Sequence, residues 1–510
     1  MVLSWTIIAA HLCSHGACMS RSAGAAAKLP GSERKKLAVQ ALAGSEPISE
    51  LSARLGVSRK FIYAQKDKAS DALNDAFCSA VADDEVLFQS PVTRTWLRQV
   101  MVGLPLICRS SYRGVVEFMR ELLGVTVGVG SVHEVLHGAA QQAGAINREQ
   151  DLSGIRVGLH DELFQGATPV LAGVDAQSTY CYLLAAERHR DADTWGVHLL
   201  DASRQGLAPD YTIADAGQGL RAGQKAAWGD TPCHGDVFHI LHQCEKLANT
   251  LGNLARGART RREKLEAKVG KACSRKRDGS FAAGLKRARQ AEVQARQLAR
   301  DIRTLTQWLS HDILALAGPV LATRQMLFDF VVDELQRREF LDPRRIRPVR
   351  VALQNQRDDL LAFAGVLDAK LAGIAQAAGV PDDLVRAACL LHRKPTTSPA
   401  YWQGWGRLRS QLGGQFQAVF AAVAQVMQHT PRSSSLVENL NSRLRNYFTL
   451  RRHLGTPYLD LLRFFLNHRR FVRSRRAERQ GKSPRELMTG QDHPHWLTLL
   501  GLGPLQPQRS

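Results

Sequence analysis

The sequence predicts an α+β/α multidomain chain: helix-turn-helix units at the N-terminus, then a mixed-sheet core interrupted by an all-α insertion. Length is the first reason, because 510 residues exceed what one hydrophobic core serves. A change of period is the second. Between residues 154 and 245 apolar positions recur in strand-like runs, whereas the flanking segments repeat at helical spacing. The 44% hydrophobic content adds that the chain folds rather than staying disordered.

Charge narrows the choice of partner. The chain carries 68 Lys+Arg against 47 Asp+Glu, a formal +21, and its pI is near 10.0. The surplus clusters at both ends and in the middle, which points to a polyanion, usually nucleic acid, rather than to a merely basic soluble enzyme. Nine cysteines, scattered apart from Cys13 and Cys18, fit free thiols in a reducing cytoplasm. No apolar run reaches the roughly 18 residues of a membrane span, so no membrane partner is expected, and the expected location is cytoplasmic, on the nucleoid. The opening MVLSWTIIAAHLCSHGAC lacks the basic leading segment of a signal peptide. Residues 1–30 are therefore read as a disordered leader, with Met19 as an alternative start.

Residues 31–75 form the first expected unit. In KKLAVQALAGSEPISELSARLGVSRKFIYAQKDKA, Leu37, Val39 and Leu42 mark a helix that Gly44 ends. Ile48, Leu51 and Leu55 line a second helix, and Gly56-Val57-Ser58 makes the turn with Ser58 as N-cap. A third helix, from Arg59 to about Lys68, turns Arg59, Lys60, Tyr63, Gln65 and Lys66 outward. That mixture suits phosphates and base edges in a major groove. A three-helix bundle with a solvated basic face is the plainer alternative. Residues 90–150 read as a second helical DNA-binding unit, with Ser131 as N-cap and Val132, Val135 and Leu136 as inner stripe. His133 and His137 share a helix face but lack a third ligand, so a polar surface outweighs a metal site.

The core's first part, 154–245, opens with three runs, IRVGLHDELF, PVLAGVDAQST and TYCYLLAAERH, whose short turns suit an antiparallel meander. DADTWGVHLLDASRQG is helical, with Asp191 or Asp193 near its N-cap and Gly206 at its end. PDYTIADAG is a fourth strand, and TPCHGDVFHIL is a fifth that leads into a helix. This order is the RNase H-like arrangement, in which the first and fourth strands lie side by side. Asp161 and Asp215 then become neighbours although 54 residues separate them. Asp161 shares its face with Val157 and Leu159, where a carboxylate is costly unless a cation or donor compensates it. Glu162 faces the other way, as a supporting acid or a surface residue. Asp175 reads as a turn cap. Asp215 precedes Ala-Gly-Gln-Gly-Leu, a flexible turn that lets backbone donors approach a phosphate, with an ordinary turn residue as the alternative.

The rest of the chain falls into an insertion (246–430), the core's last part (431–490) and a tail (491–510). The insertion begins with a basic helical hairpin broken near Asp278-Gly279, followed by apolar helices with their own core. Trp402 and Trp405 are set to stack on an unpaired base, or are simply packed. SSSLVENLNSRLRNYFTLRRHL is an amphipathic helix whose stripe is Leu436, Leu440, Leu444 and Phe448. Glu438 sits beside that stripe among Ser434, Asn441, Ser442 and Arg445, while Arg443, Arg445, Arg451 and Arg452 are set to hold phosphates. Two strand aspartates and one helix glutamate are what a two-Mg²⁺ phosphoryl-transfer site needs.

Asp161, Asp215 and Glu438, in that order, resemble the Asp-Asp-Glu pattern of RNase H-like transposases. Asp236-Val237-Phe238-His239 resembles the Asp/Cys-x-x-His motif of Mutator-like, hobo/Activator-like and several bacterial insertion-sequence transposases. VENLNSRLRNYFTLRRHL is similar to the glutamate-bearing helix of bacterial insertion-sequence enzymes, where an Asn and several Arg follow the acid. The resemblance runs from residue 34 to 490; the 223 positions from Asp215 to Glu438 depart from a compact core and call for a large insertion. It implies a Mg²⁺-dependent transposase that cuts element ends and joins the 3′-hydroxyls to target DNA. The implied site is two Mg²⁺ ions, with Mn²⁺ as a substitute, on Asp161, Asp215 and Glu438, supported by Asp236 and His239, with Trp402 for base stacking. The implied partners are double-stranded terminal inverted repeats, target DNA and further copies of the chain on paired ends. A transposase-derived DNA-binding regulator and a structure-selective RNase H-like nuclease are the alternatives.

Overall fold

The structure, a computed structural model, describes residues 26, 29–77, 91–274, 282–449, 455–474 and 476–505. Most of the expected leader, the hairpin break near Asp278-Gly279, and Arg451 and Arg452 lie outside the described residues. The chain divides into two compact units, 1–91 and 92–510.

In the first unit, α1 (Gly31–Ala43) and α2 (Ile48–Leu55) each end on a left-handed glycine, Gly44 and Gly56, with φ of 62° and 63°. Ser58 Oγ accepts the Phe61 N–H at 3.2 Å and starts α3 (Arg59–Phe77). Leu37, Ala41, Leu51, Val57 and Ile62 form the shared core. Val39, one of the three apolar positions that mark this helix, is 55% exposed. The inner stripe of α1 runs through Leu37, Ala38 and Ala41 instead, a narrower helical face that excludes position 39.

The second unit opens with α4 (Arg94–Ile107), α5 (Tyr112–Leu123) and α6 (Val129–Glu149). These are not a separate domain at 90–150. Leu136, Ala139 and Ala143 of α6 join the hydrophobic cluster that also contains sheet residues Leu159, Ala172 and Ile213. Asn147 Nδ2 donates to the Asp460 carbonyl at 2.9 Å, fixing α6 to a helix near the chain's end. Ser131 lies inside α6, not at its cap. Extended Gly128 (φ −88°, ψ 155°) is the N-cap. His133 and His137 stack at 6.0 Å on the exposed face.

Next comes a mixed five-stranded sheet, in the order β3-β2-β1-β4-β5. β1 (Val157–Gln165), β2 (Thr168–Asp175) and β3 (Cys181–Ala186) make the expected antiparallel meander. After α7 (Ala192–Arg204), β4 (Tyr211–Ala214) returns parallel to β1, and β5 (Cys233–Gly235) adds on parallel to β4. Asp191 caps α7 by accepting the Thr194 N–H at 3.0 Å. The segment after Asp215, expected as a flexible turn, leads at once into α8 (Gln218–Trp228). Its glycines serve close packing: a Cβ on Gly223 would meet Ala192 O and Trp195 Cβ of α7 at 2.6 Å. Alternation along each strand sends Leu159, Leu163 and Ala172 to one face and Leu171 and Leu183 to the other, against Trp195, Leu199 and Leu220, and a register shift opposite Gly173 and Val174 adds Tyr182 to that second face.

α9 (Val237–Ser274) starts directly after β5, so the helical insertion begins before the expected boundary at 246. The reason is an unbroken apolar stripe, Val237, Ile240, Cys244, Leu247 and Leu251. α10 (Ala282–Trp308) packs back against it. The hairpin's arginines are partly spent internally: Arg262 Nε bonds Glu292 at 2.8 Å, and Arg289 Nη2 bonds Glu266 at 2.8 Å. α11 (Leu321–Glu339), α12 (Pro343–Asn355), α13 (Arg357–Ala378), α14 (Asp382–His392), α15 (Pro399–Leu412) and α16 (Phe416–Gln428) complete the insertion. They bury two further cores.

Arg324 is wholly buried there, and its guanidinium donates to the carbonyls of Pro319 (2.7 Å), Leu316 (3.0 Å), Ile313 and Ala315. These carbonyls belong to the last residue of a π-helical turn, Leu309–Ile313, and to the irregular chain that follows it. The 22-residue α13, one of the apolar helices expected to give the insertion its own core, is long and apolar enough by composition to cross a membrane. In this fold it is an inner helix: Leu360, Leu361, Leu367 and Leu371 are buried, and its Asp368 accepts the Leu321 N–H at 2.8 Å. α17 (Ser435–Phe448) and α18 (Thr456–His468) then return the chain to the sheet.

Candidate active site

Register puts three carboxylates in one row. β4 pairs with β1 at an offset of 54 (Val157 with Tyr211), and β5 with β4 at an offset of 21 (Thr212 with Cys233). Carried to the strand ends, the same offsets align Asp161, Asp215 and Asp236. Three acids side by side repel one another, so the fold must bring donors or a cation to them.

Asp161 is 6% exposed and points to the face covered by α17. Its Oδ1 accepts the Glu162 N–H at 2.8 Å, and its Oδ2 accepts Asn441 Nδ2 at 2.6 Å. Burial pushes its carboxyl up to about 6; the Glu162 N–H and His239 oppose the rise, and the charges of Glu438 and Asp215 add to it. Asp215 is half-buried at the end of β4, and its Oδ1 caps Gly217 N–H at 2.9 Å. Glu162 points away, as the pleat requires, and accepts Trp195 Nε1 at 3.1 Å and Arg190 Nη1 at 2.8 Å.

Asp236 is almost wholly buried. It accepts His239 Nδ1 at 2.6 Å, the Phe238 N–H at 2.8 Å and the Ser434 hydroxyl. Burial opposes ionisation, yet the bonds from His239 and Ser434 hold its carboxyl below the ordinary value. His239 in turn is pushed up to about 9, first by its bond to Asp236, against burial, and then by the charges of Asp236, Asp161 and Asp215. Its Nε2 lies 3.4 Å from Glu438 Oε1.

Asp161, His239 and Glu438 each offer an atom within 4.8 Å of the others, the one such group among the described residues. Asp215 stands beside this group without belonging to it. The carboxylates of Asp161 and Glu438, with that of Asp215 next to them, are hard oxygen donors, and their crowding in a desolvated pocket is what a divalent cation relieves. The residues fit such an ion.

The remaining expected residues divide. Arg59, Lys60 and Tyr63 are exposed on α3, while Gln65 and Lys66 are half-buried. Arg445 is exposed on α17. Arg443 is not an outward phosphate contact: it sits between Leu440 and Tyr447 on the inner face of α17, and burial lowers its guanidinium pKa. Trp402 is 57% exposed, with its Nε1 on the Thr396 carbonyl at 2.9 Å, while Trp405 packs on Phe416. No hydrogen bond or ring contact among the described residues joins Trp402 to the acidic group. Sequence reasoning assigned no role to Ser434 or Asn441. Both lie at helical spacing from Glu438, four before and three after, and that polar face was the available signal. The chain matches no protein-family model and no curated protein.

Proposed function

We propose that this chain is a DNA transposase of the bacterial insertion-sequence type, with an RNase H-like catalytic core. One observation carries the reading: strand register aligns Asp161 with Asp215, and a helix 223 positions downstream of Asp215 returns Glu438 to within 4.8 Å of Asp161. The parallel pairing of β1 with β4 and the placement of α17 over that sheet face support the RNase H-like assignment.

Asp161, Asp215 and Glu438 would hold two Mg²⁺ ions, with Mn²⁺ as a substitute, supplying charge neutralisation at the attacking and leaving oxygens of a phosphodiester. Asn441 fixes Asp161 by an amide bond to Oδ2. Asp236, itself held by Ser434, fixes His239 at Nδ1, which leaves the Nε2–H facing Glu438 and orients that carboxylate. The first unit acts as a helix-turn-helix that reads the terminal inverted repeats through Arg59, Lys60 and Tyr63. Arg445 and Trp402 contact DNA near the cleavage point. Copies of the chain pair the two element ends, on the nucleoid.

The deciding experiment incubates the full chain with Mg²⁺ and a duplex carrying the inverted repeat that flanks its gene, and resolves nicked and joined strands. Nicking followed by strand joining is the expected result. Nicking without joining assigns the chain to structure-selective nucleases, and binding without nicking assigns it to DNA-binding regulators.

Two further outcomes are expected. Asp236→Asn weakens the anchor of His239 and should lower cutting about tenfold to a hundredfold with DNA affinity unchanged, as for other residues that orient metal ligands; single-turnover nicking rates check it. Replacing Arg59 and Lys60 together by Ala should weaken end binding and flatten the log–log salt dependence of affinity by about two. Anisotropy titrations at several salt concentrations measure that slope, and an unchanged slope would remove α3 from the interface.

A further inference from the structure

A cavity of about 670 Å³ opens at the opposite ends of β1 and β4, walled also by the end of β2, by α13 and by the loop entering α17. Its charges do not balance. Of its two acids, Asp210 is engaged by Arg156 (Nε to Oδ2, 3.1 Å), and buried Asp175 accepts the Ser178 N–H and hydroxyl. Lys370, Arg432 and Arg476 also line it, and none of the three has a carboxylate partner among the described residues. Lys370 donates to the His429 carbonyl at 3.0 Å and to Thr430 Oγ1 at 3.3 Å, and Arg432 to the Leu314 carbonyl. Burial lowers the pKa of both Lys370 and Arg432, so an anion among these cations would relieve their desolvation.

Two polar features add to this. α17 begins at the cavity through Ser435 and Leu436, and its N-cap Ser434 gives its hydroxyl to Asp236, which leaves the first turn without a side-chain cap. First-turn amides of an uncapped helix favour an anion. Tyr211, 7% exposed, forms part of the wall, stacks on His234 at 4.3 Å, and has a buried hydroxyl with no hydrogen-bond partner. A bare phosphate leaves most of this volume empty. The apolar wall of Val366, Met427 and Leu436 suits a flat ring, and the Gln177 amide beside it carries both a donor and an acceptor.

We propose that this cavity binds a nucleoside phosphate, with the phosphate against Lys370, Arg432, Arg476 and the first turn of α17, and the nucleoside against Tyr211 and the apolar wall. The ligand is either a free nucleotide or an unpaired nucleotide of a DNA strand, and the assignment stands whether or not the chain is a transposase. Equilibrium binding is measured on the full chain in EDTA, which keeps divalent ions from the acidic site. The probes are ATP, inorganic phosphate and a short 5′-phosphorylated single strand.

ATP or the strand should bind; Arg476→Ala should weaken that binding about tenfold, the value of one charge-assisted hydrogen bond. Tyr211→Phe should weaken it less, with both variants melting like the parent. Tighter binding of ATP identifies a free nucleotide as the source, and tighter binding of the strand identifies DNA. The proposal is overturned if neither binds, if inorganic phosphate binds as well as both, or if the two cavity variants keep full affinity.

Discussion

Replacing Asp161 by Asn is expected to abolish strand cutting, by about a thousandfold or more, the equivalent of losing about 4 kcal/mol of charge stabilisation at a reacting phosphate. DNA affinity should hold, because the candidate DNA contacts are elsewhere. The fold should hold as well. The introduced amide keeps an acceptor for the Glu162 N–H, and its nitrogen can meet the Asn441 carbonyl oxygen, which is buried without a partner, if that side chain turns over. One buried negative charge also leaves a row of three. A gel assay of nicking, an anisotropy titration and a melting curve test the three statements separately. Undiminished cutting would remove Asp161 from the chemistry, and joint loss of binding and melting temperature would make its role structural.

The second large effect concerns stability. Arg324→Leu strips the donors from four carbonyls at once, those of Ile313, Ala315, Leu316 and Pro319, in a wholly buried position. Each unsatisfied buried acceptor costs about 1–3 kcal/mol, and partial relaxation leaves a loss of about 4 kcal/mol for the helical insertion. Urea unfolding followed by helical circular dichroism measures it; a loss below about 1 kcal/mol would contradict the account. The effect should reach the acidic site. Arg432 ties the same irregular segment, through the Leu314 carbonyl, to the loop that starts α17, and the Arg432 carbonyl accepts the Val237 N–H at the start of α9. Disorder there loosens the helix that carries Glu438.

The antiparallel strands were legible because strand period and hairpin pairing are local. Val157, Leu159 and Asp161 share a face by alternation alone, and adjacency of the first and fourth strands brings in Asp215. The anchors of the site were not legible. Ser434 reaches Asp236 across 198 positions and Asn441 reaches Asp161 across 280, and a polar residue on a helix face does not announce a partner so distant. The stripe of Val132, Val135 and Leu136 left the packing partner of its helix open for a related reason. An amphipathic helix has the same spacing whether it packs in a small bundle or against a sheet, as α6 does. Gly217 and Gly219 suggested a flexible turn, whereas Gly219 already lies in α8, where a Cβ would run into the Arg190 carbonyl, and Gly223 on the same helix is where it meets α7 too closely for a Cβ. Arg443 was misplaced because its charge argued for solvent while its position between Leu440 and Tyr447 argued for the interior.

Bringing the last acid home from so far along the chain has a consequence for biosynthesis. A ribosome adds Asp161 277 codons before it reaches Glu438, an interval of roughly ten to sixty seconds at ordinary elongation rates. Throughout that time the nascent polypeptide holds the aspartates without Glu438. On the proposed function it could not cut DNA until the intervening helices had folded and delivered that closing residue.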